Sequence, residues 1–91
     1  MDTAALRYAI LQSIERHEAT NAGTYLDDKK IASELAVELG IVQRQLLILE
    51  NHSLVTLAKA MGPSYGALLT PDAMEALEDS GTSTPPRQIG F

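Results

Sequence analysis

The feature that most constrains this chain is a change of hydrophobic period close to residue 54. Leu39, Val42, Leu46 and Leu49 recur at intervals of three, four and three, which is one face of an α-helix. The next segment, LVTLAK at 54–59, has the extended pattern of a strand. The run AMGPSYG follows, with Gly62-Pro63 and Gly66 as turn residues, and GALLT then returns as a partner strand. Two short strands around a Gly/Pro tip make a β-hairpin. No strand is followed by a long crossover, so no parallel sheet is implied.

The remaining elements are helical or very short. Leu6, Ile10 and Ile14 fall at i, i+4 and i+8 and predict a helix over 3–18, started by Asp2 or Thr3 and stopped at HEATNAG. Tyr8 and Leu11 lie off that stripe. TYL at 24–26 predicts a brief strand. Asp27 or Asp28 offers an N-cap for the helix DKKIASELA, whose Ile31, Ala32 and Leu35 face inward. Thr70-Pro71 starts a last helix, with Met74 and Leu77 inward. The expected fold class is mainly α with a small antiparallel β-wing, in the order α-β-α-α-β-β-α. Residues 1–80 form one domain, and the Gly/Ser/Thr/Pro-rich segment 81–91 is a loose tail.

Composition sets the limits. Ninety-one residues suffice for one small domain, and with only Tyr8, Tyr25, Tyr65 and Phe91 as aromatics the core is aliphatic. Cysteine is absent, which removes disulfides, thiolate metal sites and a thiol nucleophile. No apolar run approaches the ~18 residues of a membrane span, and MDTAAL is not signal-like, so a cytoplasmic protein without membrane contact is expected. Net charge is −5, against the positive footprint usual for nucleic-acid binders. Residues 27–59 hold five acids and four bases and are closer to neutral.

The order and spacing from Tyr25 to Leu77 resemble the winged-helix (winged helix-turn-helix) DNA-binding family, in its small bacterial and archaeal regulator form. The residues concerned are TYLDDKKIASELAVELGIVQRQLLILENHSLV, the wing LAKAMGPSYGAL and the closing LTPDAMEAL. Two registers fit the family's Leu-Ala-x-x-Leu-Gly step: Leu35 to Gly40, or Ile31 to Ala36. The first leaves the third helix about one turn short at 3.6 residues per turn. The second gives a full-length helix with Val42, Leu46 and Leu49 on the core, and we adopt it. It places Ala36 and Ser53 where glycine is usual, and these residues are less permissive in backbone angle.

The resemblance implies a sequence-specific DNA-binding regulator with a recognition helix over about 38–52 and a wing over about 55–69. In that register Glu38, Leu39, Gly40, Gln43, Arg44 and Leu47 point away from the core. Arg44 then pairs with guanine, Gln43 with adenine, Glu38 with cytosine N4, and Leu47 touches a thymine methyl. Lys29, Lys30, Lys59 and the wing, including Ser64, meet phosphates. A homodimer reading a palindrome is expected, with Tyr8, Leu11, Ile89 and Phe91 as its candidate surface. The bland readings are a solvated Gln-Arg-Gln face, lysines that only decorate a helix start, and a Tyr8 that merely covers the core.

No catalytic or metal-binding constellation is legible. His17 and His52 sit on different helices with no converging ligands, and each reads as a helix-end residue. The serines lack a base partner, and GPSYG is not a phosphate loop. Neither an enzyme nor a cofactor is expected. The alternative function is a winged-helix protein-interaction module without DNA affinity, supported by the acidity of the chain and by the adjacent Leu47 and Ile48. What separates the two is whether Lys29, Lys30, Arg44 and Lys59 converge on one face or are neutralised by Asp27, Asp28, Glu38 and Glu50.

Overall fold

The computed structural model describes residues 2–59 and 64–79. It contains α1 (Thr3–Thr20), β1 (Leu26–Asp27), α2 (Asp28–Leu35), α3 (Leu39–Asn51), β2 (Val55–Ala58), β3 (Gly66–Leu69) and α4 (Pro71–Asp79), in the expected order. The three strands form one antiparallel sheet in the order β1-β3-β2. Leu26 pairs with Ala67, and Val55 pairs with Leu69. The wing tip at 60–63 and the tail, with Ile89 and Phe91, lie outside the described residues.

Three of the four helices start where a side chain takes up a free N–H group. Asp2 accepts from Ala5 N–H at 2.8 Å and caps α1. Asp27, not Asp28, is the cap of α2 and accepts from Lys29 N–H at 3.2 Å. Thr70 Oγ1 accepts from Ala73 N–H at the start of α4 and donates to the Ser53 carbonyl at 2.7 Å, which fixes α4 to the turn after α3. Glu38, at the cap position of α3, makes no side-chain capping bond.

Helices α2 and α3 end in the same way. Ala36 has φ 55° and Ser53 has φ 61°, both left-handed. In each case the next residue's N–H returns to the carbonyl five residues before it: Val37 to Ala32 at 3.0 Å, and Leu54 to Leu49 at 2.9 Å. This is the Schellman ending, in which glycine is the usual occupant of the left-handed position. The register with its turn at Ala36 is therefore the one the chain adopts, and the two missing glycines sit where the backbone asks for them.

The core is aliphatic. Ile10, Leu11 and Ile14 of α1, Ile31 of α2, Val42, Leu46 and Leu49 of α3, and Val55, Ala67 and Leu69 of the sheet are buried together. Two expectations need correction. Leu11 is 0% exposed, because α1 packs against α2, α3, β3 and α4 and so buries an arc wider than one stripe. Leu11 is thus a core residue and not part of a surface. Met74 is 40% exposed, and the inward residues of α4 are Ala73 and Leu77, one helical turn apart. Tyr8 is half-buried and rests on the core.

Candidate nucleic-acid interface

The candidate site is organised by a buried carboxylate. Asp28 is the first residue of α2 and is 0% exposed. Its Oδ2 accepts from Gln43 Nε2 of α3 at 2.8 Å and from the backbone N–H of Tyr65, just before β3, at 2.9 Å. Its own N–H donates to the Tyr65 carbonyl at 2.9 Å. Among the described residues, its Oδ1 is buried without a hydrogen-bond partner. The start of α2, the middle of α3 and the root of the wing therefore meet at one side chain. Burial pushes its pKa up, but the hydrogen bonds from Gln43 and Tyr65, helped by Asp27 and Lys29, outweigh that and hold it below the ordinary 3.8.

This arrangement decides where nearby charges point. Asp28 is turned inward and Asp27 is engaged by the cap, so neither carboxylate pairs with the exposed Lys29 and Lys30. Arg44 is exposed on α3, next in sequence to the Gln43 that Asp28 holds, and forms no ion pair among the described residues. Lys59 differs. It is paired with Glu50 at 3.2 Å, both groups being well exposed. Ser64 is half-buried at the wing root.

The outward face of α3 only partly matches the sequence reading. Glu38, Gly40, Arg44 and Leu47 are exposed, but Leu39 packs against the core and Gln43 is half-buried in the contact with Asp28. Ile41, 43% exposed, and Asn51 belong to the outward face and were missed. The signal was present, because a helical wheel centred on Val42, Leu46 and Leu49 puts Asn51 opposite the core and Ile41 at its rim. Ile48 is half-buried. Gln45, also missed, is buried and accepts from Arg7 Nε at 2.7 Å, which ties α3 to α1.

Other polar contacts brace the scaffold. Glu34 of α2 accepts from Ser13 at 2.6 Å and pairs with Arg16, both on α1. These contacts, the Ser13 bond first, hold the Glu34 carboxyl below its ordinary value. Glu18 accepts from the Leu69 N–H at 3.0 Å and joins the end of α1 to β3. Beside that bond lies a pocket of about 260 Å³, lined by Glu18, Ala22, Gly23, Leu68, Leu69 and Met74. Among the described residues, no group of three or more His, Asp or Glu side chains is placed to hold a metal ion. No helix among them is long and apolar enough to cross a membrane.

A three-helix unit, a two-stranded wing beside α3 and a third strand closing the sheet define a winged-helix fold. Solved structures share it. A Ralstonia eutropha JMP134 protein, whose name classes it provisionally as DNA-binding, is 21% identical with a TM-score of 0.72, covering 88% of this chain and 98% of that one. A protein from Archaeoglobus fulgidus gives 19% and 0.66, over 80% of this chain and 77% of its own. A MarR transcriptional regulator from Methanosarcina mazei Go1 gives 15% and 0.65, over 92% and 66%. At these identities the likeness is one of fold. No protein-family model matches the chain, and no curated protein matches its sequence.

Proposed function

We propose that the chain is a sequence-specific DNA-binding transcriptional regulator, with α3 in the major groove and the α2 start and wing root on the flanking phosphates. The observation that carries this reading is the inward turn of Asp28. It keeps that carboxylate from pairing with the lysines beside it, and Lys29 and Lys30 of α2 and Arg44 of α3 are exposed. Lysines at a helix start oppose the helix dipole, so a polyanion there relieves a local cost. The solved neighbours named for DNA binding and transcriptional regulation support the same reading. A homodimer doubles the few base contacts that one domain of this size can make.

Within this reading the sequence-based contacts have different standing. Arg44 is the leading base contact, and Lys29 and Lys30 are the leading phosphate contacts. Gln43 acts through Asp28 as a brace between helices, so its role in reading adenine is secondary. Lys59 must exchange Glu50 for a phosphate before it contributes. Glu38 is exposed at the start of α3, and Ser64 is half-buried at the wing root.

One observation favours the alternative of a protein-interaction module. Lys59 is neutralised by Glu50, so one of the four cations expected on the interface is already paired. Fluorescence anisotropy with a labelled mixed-sequence duplex at low salt separates the two. The DNA reading predicts micromolar or tighter binding that the Lys29→Gln/Lys30→Gln double variant weakens. Absence of binding by the intact chain at low salt contradicts it and supports the interaction module.

A further inference from the structure

The exposed face of α3 carries an ordered chemical pattern. Ile41 is 43% exposed, Leu47 is 39% exposed, and Arg44 lies between them with three residues on either side. At 3.6 residues per turn, Ile41 and Leu47 stand roughly 60° to either side of Arg44 around the helix axis. The two apolar side chains therefore do not merge into one patch, as the anchor of a protein interface would. They flank a cation instead. Along the axis they are roughly 9 Å apart, or about three base-pair steps of 3.4 Å.

In the major groove, the apolar group that an aliphatic side chain can recognise is the C5-methyl of thymine, while an arginine pairs with O6 and N7 of guanine. We propose that α3 reads a guanine through Arg44 with a thymine methyl on each side, one taken by Ile41 and the other by Leu47. The inference rests on the DNA reading above and deepens it by naming the base chemistry of the site. The occupant is duplex DNA because the cationic flank formed by Lys29 and Lys30 complements a polyanion, and Gln43, held by Asp28, joins that flank to the middle of α3.

The test is a binding selection by the full chain from a randomised duplex library prepared twice, once with thymine and once with uracil throughout. The two libraries differ only in the methyl. The proposal predicts that the thymine library yields sites with a guanine flanked by thymines within about three base pairs. Affinity for such a site should fall about fourfold for each methyl removed, the worth of one buried methylene-sized group. Ile41→Ala and Leu47→Ala should each erase the preference at one flank and leave the other, with unchanged thermal melts because both residues are on the surface. Equal enrichment from the two libraries, or flank preferences indifferent to both variants, overturns the proposal while the DNA reading stands. No salt-sensitive binding to either library removes the DNA reading, and this inference with it.

Discussion

Asp28 and Tyr65 exchange two hydrogen bonds: the Asp28 N–H donates to the Tyr65 carbonyl, and Asp28 Oδ2 accepts from the Tyr65 N–H, each at 2.9 Å. One residue opens α2 and the other precedes β3, so this exchange continues the β1–β3 pairing past its last sheet partners, Asp27 and Gly66. The same oxygen also holds Gln43. The wing root and the two helices of the candidate interface are thus fixed to one buried carboxylate.

Replacing Asp28 by alanine leaves the Tyr65 N–H and the Gln43 amide without their acceptor. The expected loss of folding stability is about 2 kcal/mol, the scale of a buried donor left unsatisfied, measured by urea denaturation. The pH dependence has a definite sign. Because the folded state holds the Asp28 pKa below its ordinary 3.8, its contribution is complete above that value and is lost as pH falls through the lower folded one. The variant should therefore show a shallower loss of stability below about pH 4, with the difference from the parent constant near neutrality. A parallel offset at every pH would contradict the assignment.

Ala36 and Ser53 hold left-handed backbone angles that favour glycine. Ala36→Gly and Ser53→Gly should each raise stability by about 0.5–1 kcal/mol. In a domain of this size that is a rise in Tm of roughly 2–8 °C, readable by thermal denaturation. Unchanged or lowered melting in both variants would mean that the Schellman endings are not as described.

Gly66 has a different reason to be glycine. A Cβ there would lie 2.9 Å from Cβ of Tyr25, whose ring covers the strand. That atom cannot swing aside as a side-chain tip can, so Gly66→Ala must shift β3 or the chain at Tyr25. The expected cost is about 1–3 kcal/mol. Because Gly66 adjoins Tyr65, exchange protection of the Tyr65 amide should fall with it. Full parental stability would show that the contact is looser than this.

Much of the fold is legible in the residues because it is local. The stripe of α3, the Thr70-Pro71 start and the Gly62-Pro63 punctuation fix three elements without reference to the rest. Errors arise where a second neighbour decides. Leu11 is off the stripe of α1 and still buried, because several elements pack around that helix. On α4 the buried positions are Ala73 and Leu77, and Met74 lies outside that stripe. In the candidate interface, Lys29, Lys30 and Arg44 are placed as a solvent-facing reading places them. The role of Asp28 is illegible, since an acid at a helix start reads as a cap until the Tyr65 N–H, 37 residues away, is seen beside it. The same contact explains why Gln43 leaves the outward face.

The most direct measurement is the salt dependence of binding of the intact chain to mixed-sequence duplex DNA, with Arg44→Ala alongside. Each neutralised phosphate lowers log affinity by about 0.9 per unit of log salt. With Lys29 and Lys30 on phosphates, and Lys59 once it leaves Glu50, the predicted slope is about −2 to −3 per chain. Arg44→Ala, removing a base contact, should weaken binding to a selected site about tenfold while leaving that slope almost unchanged. A flat salt response, or no binding at low salt, would contradict the account and favour the protein-interaction module.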